Sequence, residues 1–353
     1  MEWLSDISEI AKRSPLFAGQ RIHIRIIANP AAGGFTIRRR VREHRISFQN
    51  AVYRVSGIDP VAYIVDCLVY KTEHKGHGAE IALRILHEIE QAPDERWLLV
   101  IAGGDGTSHE IQSACAEAVF NARVSSVVKE LCILRLPLGT GNDGSDGRFL
   151  HESIALLSAS KTTCPIRAVS VTHGGFDAPR YAFNITSVGF DAFVTHMTNK
   201  VKRFFPGDIY KVWVDLSCLF YNGLYPVEPM TVSVFNNGHA VARYREETLF
   251  ALMGASGNRT YGAGIKILPD AANICTVQDM SLQRKLGLKP LFKAGRHRGL
   301  DVVHLFEGNK LEIQYGRKIL LQLDGESHLL EPDHFPLTME LTEPLFKGLY
   351  QTP

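Results

Sequence analysis

The sequence predicts an α/β domain built on a parallel sheet, followed by an antiparallel β-rich domain. Three observations lead there. The chain has 353 residues, long for one domain and comfortable for two. Its first half alternates continuous apolar runs with amphipathic helical periodicity, the pattern of a parallel sheet covered on both faces. After about residue 164 this texture gives way to short alternating strands joined by turns. The expected boundaries are residues 20–160 and 161–340, with the tail 341–353 a candidate to return to the first domain.

Each element has its own reason. "RIHIRIIANP" (21–30) is a β-branched run ending in Asn-Pro, a strand and a turn. "FTIRRRVREHRISFQNAV" places Ile37, Val41, Ile46 and Phe48 among arginines and predicts a helix with a basic outer face. "VAYIVDCLVY" (61–70) is a second strand. "HGAEIALRILHEIEQ" (77–91) is a helix with Ala79, Ala82, Leu83, Leu86 and Ile89 on one face. "RWLLVIAGG" (96–104) is a third, fully apolar strand, "SHEIQSACAEAVF" (108–120) a helix, and "ELCILRLPLGTGND" (130–143) a fourth strand with its loop. Beyond lie "RAVSVTH", "RYAFNITSVGF", "MTVSVFN", "ETLFALMGAS", "KLEIQYG" and "KILLQLDGE", all short strands. Helical pattern persists there only in "VTHMTNKVKRFF" and "IYKVWVDLSCLFYN".

Composition excludes little. Lys plus Arg (39) nearly balances Asp plus Glu (37), so global charge argues neither for nor against a polyanion, and no nucleic-acid partner is expected. No apolar stretch has the ~18 to 20 residues of a transmembrane helix. The amphipathic N-terminus lacks the apolar core of a signal peptide. The six cysteines are scattered with no CxxC pair and read as buried thiols of a reducing compartment. A cytoplasmic protein is expected.

Three glycine-rich loops follow successive strands: "NPAAGG" (29–34), "GGDGT" (103–107) and "PLGTGND" (137–143). Any one of them is as readily a tight turn. Together, along one rim of a parallel sheet, they predict a cleft floored by backbone N–H groups, open to phosphates and flanked by a helix N-terminus. A carboxylate there, Asp105, would repel bare phosphate and calls for an intervening cation, with Mg²⁺ the natural one. Its plainer reading is an N-cap of the helix that follows. Thr107, Thr140 and Asn142 are candidate donors to phosphate or ribose, or ordinary loop residues. "ILLQLDGES" sets Asp324 and Glu326 behind a hydrophobic strand, either as a solvated turn or as the proton acceptor a phosphoryl transfer needs.

"NPAAGG", "GGDGTSHEI" and "LPLGTGND", in this order, resemble the catalytic domain of the diacylglycerol kinase family, which includes sphingosine kinases and bacterial soluble lipid kinases. "NITSVGFDAFV" (184–194), "GNRTYGAGIKILPDA" (257–271) and "LQLDGES" (321–327) continue the likeness over about residues 22 to 330. "GGDGT" alone would be shared with NAD kinases. The resemblance implies an N-terminal domain like those of NAD kinases and diacylglycerol kinases. It implies that Asn29, Pro30, Ala31, Ala32, Gly33 and Gly34 bind ATP, with Thr72 of "YKTEHKGHG" beside them. Gly103, Gly104, Asp105, Gly106 and Thr107 would hold the phosphates and the catalytic Mg²⁺, with Asp105 the metal ligand. Thr140 and Asn142 would complete the nucleotide site, and Asp324 with Glu326 would supply the base. On this reading, loss of Asp105 or Asp324 abolishes turnover and leaves the fold intact.

Two departures stand out. Bacterial members often carry an Asp-Gly pair after Pro-x-Ala within a structural Mg²⁺ site, whereas "PDAANICTVQDM" has none, so that metal is expected to be absent. An aromatic residue usually follows Asn-Asp, whereas Gly144 and Ser145 stand here and predict a looser loop. The expected acceptor is a lipid at the inner membrane surface, bound peripherally. Lys200, Lys202 and Arg203 with Phe204, Phe205 and Trp213, and the basic stretch "FKAGRHRG", are candidate contacts or solvated faces. Two alternatives remain: a soluble-substrate kinase like NAD kinases, and a nucleotide-binding protein without catalysis. A homodimer through open sheet edges is a further candidate.

Overall fold

The computed structural model describes residues 2–121, 124, 130–139, 141–202, 219–261 and 265–350. Thr140 and the stretch Arg203 to Trp213 therefore lie outside the described residues. The chain divides into two compact units, residues 1–167 with 343–353, and residues 168–342.

In the first unit β1 (Arg21–Ala28), β2 (Tyr63–Lys71), β3 (Arg96–Gly103) and β4 (Cys132–Pro137) run parallel in the order β2-β1-β3-β4. β3 is buried at every position but its first, which is why it reads as one apolar run. The C-terminal strand Phe346–Tyr350 continues the sheet, parallel to β4 and antiparallel to β5 (Thr162–Ile166). Residues 343–353 thus belong to the first unit although they follow the second in sequence.

The helices differ from expectation in detail. Between α1 (Ile7–Ala11) and β2, the expected helix at 35–52 is two, α2 (Gly33–Thr36) and α3 (Arg38–Val55), broken where Ile37 turns extended. Trp3 packs against both, its ring 5.8 Å from Phe35 on one helix and 4.9 Å from Phe48 on the other. α4 (His77–Gln91) buries Ile81, Ala82, Ile85, Leu86 and Ile89, a face rotated away from Ala79 and Leu83. α5 (Asp105–Phe120) starts three residues before the expected Ser108. α6 (Leu150–Ala159) leads into β5.

The second unit is an antiparallel sheet. Its strands are β6 (Val169–Thr172), β7 (Arg180–Ala182), β8 (Ile185–Gly189), β9 (Pro229–Asn236) and β10 (His239–Gly254). They continue with β11 (Arg259–Tyr261), β12 (Ile265–Leu268), β13 (Ile274–Gln278), β14 (Val303–Phe306) and β15 (Lys310–Gln314). The last are β16 (Ile319–Leu323), β17 (Glu326–Leu330) and β18 (Leu337–Leu341). The sheet order is β17-β16-β8-β10-β9-β15-β18-β6-β7, with β13 added to β10 and β14 to β13, and β11 and β12 form a separate ribbon. Asn237-Gly238 and Asp324-Gly325 both have positive φ at both residues, the backbone of tight hairpin turns. α7 (Phe190–Lys202) packs on β8, β16 and β17. No helix among the described residues is long and apolar enough to cross a membrane.

Phe346 is 1% exposed and fastens the C-terminal strand between β4 and β5. Phe346→Ala is expected to cost about 3–5 kcal/mol in denaturant unfolding of the first unit. A cost below about 1 kcal/mol would mean that the strand is dispensable to the sheet.

Candidate functional site

The three glycine-rich loops meet at the C-terminal rim of the parallel sheet. Asn29, the residue after β1, donates its backbone N–H to Ala102 O (2.9 Å) and its Nδ2 to Thr107 Oγ1 (2.8 Å). Its Oδ1 accepts the Ala31 N–H (2.9 Å) and so turns the chain into α2. Pro30 and Ala32 complete that turn, and Gly33 opens α2. Gly34 is buried and donates to Leu138 O (2.8 Å), where an added Cβ would stand 2.7 Å from the same oxygen. Thr72 follows β2 and donates its N–H to Ala28 O (2.9 Å), which brings it to the same rim.

Gly104 and Gly139 press backbone on backbone. A Cβ on Gly139 would lie 2.4 Å from Gly104 Cα, so only glycine lets the loops after β3 and β4 approach this closely. Asn142 adopts φ 61° and accepts the Gly139 N–H on its Oδ1 (2.7 Å), closing the β4 loop on itself. Ser145 Oγ donates to Asn142 O and Gly147 O, each at 2.7 Å. Arg135 on β4 and Asp146 form a buried ion pair, and Asp146 also accepts the Arg135 N–H (2.7 Å). The loop expected to be loose is therefore tied at several points, by Asn142, Ser145 and Asp146.

Asp105 is the first residue of α5, and the capping position belongs to Gly104, which has no side chain. The Asp105 carboxylate turns instead to the β4 loop, where Oδ1 accepts the Gly144 N–H (3.0 Å). A Cβ on Gly141 would stand 2.5 Å from Asp105 Oδ2 and 3.9 Å from Asp143 Oδ2, so two carboxylates flank one bare glycine. Asp143 is a neighbour that sequence reading missed, since its loop geometry depends on the Asn142 turn. Among the described residues no group of three or more His, Cys, Asp or Glu is placed to hold a metal by itself. One or two hard carboxylate oxygens suit Mg²⁺ that shares its coordination with phosphates and waters. The N–H groups of Asp105, Gly106 and Thr107 lie in the first turn of α5, where helical geometry leaves them without intrahelical acceptors and the helix dipole favours an anion.

In the second unit the Asp324-Gly325 turn joins β16 to β17. Asp324 Oδ1 accepts the N–H groups of Asn184 and Ile185, both at 2.9 Å, and Oδ2 accepts that of Phe183 (2.6 Å). Three backbone donors make Asp324 the clasp between this turn and the β7–β8 segment. Its removal would orphan three amides, so loss of Asp324 is expected to destabilise the second unit in addition to any effect on turnover. Glu326 is exposed at the first position of β17, paired with Leu323 through the backbone, and its side chain makes no hydrogen bond or ion pair with the described residues.

A buried polar chain sits under the turn. Gln322 is fully buried, and its Oε1 accepts from Gly325 N (3.0 Å) and Tyr261 OH (3.1 Å). Its Nε2 donates to Ser187 Oγ (3.1 Å), which in turn donates to Asp191 Oδ2 (2.5 Å). Burial raises the Asp191 carboxyl above the ordinary carboxylate range. α7 holds the turn from outside, Asn199 Nδ2 donating to Gly325 O (2.7 Å) and His196 Nδ1 lying 2.9 Å from Ser327 Oγ. Burial and then Lys200 lower the His196 pKa.

In the stretch after Pro269, Asp270 pairs with Arg298 (2.8 Å) and Asp279 with Lys285 (2.6 Å). Cys275 is fully buried on β13, and burial drives its thiol pKa upward. The acids of this stretch are thus engaged by the protein's own cations.

Residues 23–153 match the diacylglycerol kinase catalytic domain. A diacylglycerol kinase of Staphylococcus carnosus (strain TM300) is 24% identical over 316 residues, covering 87% of this chain and 89% of that one. Its counterpart from Staphylococcus saprophyticus is 24% identical over 313 residues, with the same coverage of both chains. Among solved structures, a diacylglycerol kinase from Bacillus anthracis shares the fold at a TM-score of 0.55 and 15% identity, over 93% of this chain and 97% of that one. A putative diacylglycerol kinase from the same organism gives 0.59 at 17% identity and the same coverage.

Gly139→Ala must displace the Gly104 backbone and is expected to cost about 1–3 kcal/mol of first-unit stability. Asp324→Asn turns an amide NH₂ towards backbone donors and is expected to lower second-unit stability by about 1–3 kcal/mol. A melting curve that superposes on that of the unaltered protein would remove Asp324 from the clasp.

Proposed function

We propose that the chain is a member of the diacylglycerol kinase family, whose catalytic domain residues 23–153 match, and that it transfers the γ-phosphoryl group of Mg²⁺-ATP to the hydroxyl of diacylglycerol or a related lipid. The observation that carries this reading is the rim of the parallel sheet. Asn29 is bonded to Thr107, Gly104 lies against Gly139, and the Asp105 carboxylate is turned to the same loops. Such a floor can take phosphate oxygens on N–H donors and the α5 N-terminus. Asp105, with Asp143 beside it, would hold Mg²⁺, which when bound neutralises charge on the β- and γ-phosphates.

Phosphoryl transfer asks the protein for position and charge, plus an acceptor for the hydroxyl proton. The lipid oxygen forms the new P–O bond, the bond to the ADP oxygen breaks, and the hydroxyl proton passes to a carboxylate. Of the two acids in "LDGES", Glu326 suits that role. Its carboxylate is exposed and unengaged, whereas three of the Asp324 lone-pair positions are taken by backbone amides. Asp324 positions the turn on which Glu326 stands. An acceptor drawn from a bilayer places the enzyme at the cytoplasmic membrane surface.

The deciding experiment is ADP release from Mg²⁺-ATP with diacylglycerol, ceramide, sphingosine or phosphatidylglycerol in mixed micelles, and with NAD as the soluble acceptor. Turnover with a lipid is the expected result. Turnover with NAD alone, or ATP binding with no turnover on any acceptor, would overturn it. Asp105→Asn keeps the oxygen that accepts from Gly144 and should lower kcat by about 10³. Glu326→Gln should lower kcat by about 10² to 10⁴ with ATP affinity and melting unchanged. An equal loss from Asp324→Asn without any change in melting would return the base to Asp324.

A further inference from the structure

The helix Leu282–Ala294 has no buried residue, although its sequence, "LQRKLGLKPLFKA", is rich in leucine. Leu288 and Phe292, one turn apart, touch the core of the second unit from one side. Leu282 and Leu286, also one turn apart, point elsewhere and are 46% and 56% exposed. The short helix Tyr221–Leu224 lies beside its start, because Lys285 Nζ bonds Asn222 Oδ1 (3.1 Å) and Asn222 Nδ2 bonds Asp279 Oδ2 (3.2 Å). That helix buries Tyr221 and turns Phe220 and Leu224 outward, 62% and 63% exposed, with Leu219 at 40%. Two neighbouring helices thus present apolar side chains to solvent in one patch, more than scattered single residues.

The rim of the patch is basic. Lys289 and Lys293 continue the stripe of Leu282 and Leu286 along the helix at three- and four-residue steps, and all three of Lys289, Lys293 and Arg296 are exposed. Apolar side chains presented by two neighbouring helices, with cations along one side, suit a membrane interface in which the apolar groups enter the acyl boundary and the cations meet anionic headgroups. A second copy is a poorer occupant. A two-fold contact would set the patch against itself and collect the Lys289, Lys293 and Arg296 of both copies in one interface.

We propose that Phe220, Leu224, Leu282 and Leu286 form the element by which this protein enters an anionic lipid surface, held there by Lys289, Lys293 and Arg296. This deepens the lipid-kinase reading and rests on it for its purpose, but membrane binding can be read without turnover.

The test is co-sedimentation with phosphatidylcholine vesicles carrying phosphatidylglycerol, alongside turnover on a short-chain, water-soluble diacylglycerol. Phe220→Asp with Leu286→Asp should lower vesicle partitioning by roughly tenfold or more per side chain. Turnover on the soluble substrate should stay unchanged, since neither residue belongs to the nucleotide site or to the turn that carries Glu326. Lys289→Glu with Lys293→Glu should lower partitioning onto phosphatidylglycerol vesicles by about fivefold per charge and leave pure phosphatidylcholine unaffected. Tyr53→Asp, on an exposed side chain of α3, serves as the control and should bind as the unaltered protein does. Unaltered protein that stays in the supernatant, or a Phe220/Leu286 variant that sediments normally, overturns the proposal. So does a sedimentation-velocity dimer that the variant dissolves, because the patch would then serve a second copy. Patch-dependent vesicle binding with no turnover on any lipid would support the surface while removing the kinase reading.

Discussion

The approach of Gly104 to Gly139 sets the first unit's site. Two adjacent parallel strands end, and their loops meet with no side chain between them, since a Cβ on Gly139 would fall 2.4 Å from Gly104 Cα. Everything functional at this rim depends on that closeness. It lets Leu138 donate to Gly103 O (3.1 Å) and accept from Gly34, so the loops after β1, β3 and β4 share one hydrogen-bonded seam. It also lets the Asp105 carboxylate reach Gly144, leaving the first-turn amides of α5 to whatever anion approaches. The seam is stiff because the Arg135–Asp146 pair is buried beneath it, and a buried pair with these hydrogen bonds resists separation.

The second unit uses a carboxylate for the opposite purpose. Asp324 serves the chain, gathering three amides from a segment some 140 residues earlier. Beneath it Gln322, Ser187 and Asp191 form a polar chain in an apolar core, tolerable only because each member has a partner. Tyr261 and Thr195 extend that chain to the β11–β12 ribbon and to α7. The Asp324-Gly325 turn is therefore held from below by Gln322, from behind by the β8 segment and from outside by Asn199. These contacts fix the backbone from which the Glu326 side chain starts, while the carboxylate itself stays exposed.

The fold was legible where periodicity is strong. Continuous apolar runs gave β1, β3 and β4, and alternation gave the second unit's strands, because burial on one or two faces writes itself into every residue of a strand. Helix ends and faces were less legible. The two helices on either side of Ile37 meet Trp3, more than thirty positions away, and the buried face of α4 is set by tertiary packing that local periodicity does not show. The glycine loops were visible as loops, and their order pointed to the rim. What could not be read was the use of each acid. "LDGES" shows two carboxylates of equal standing, and only the folded sheet shows that Asp324 faces backbone donors while Glu326 faces outward. The same holds for Asp143, whose nearness to Asp105 is set by the left-handed turn at Asn142.

This division of labour bears on how an acceptor is chosen. The first unit offers backbone amides and one or two carboxylates, which recognise phosphates and a divalent ion but carry no information about an acyl chain. On the second unit the polar groups around the turn are committed to one another, with Glu326 the exception among those described. On the proposed reading, recognition of a lipid acceptor would fall to apolar surface, whose contribution grows with area and says little about identity. An enzyme so built gains selectivity from where it resides as much as from what it contacts. The leucines and phenylalanine that the second unit leaves outside its core stay exposed, and an anionic lipid surface, as proposed above, would bury them and so tie where the protein resides to how the acceptor is found.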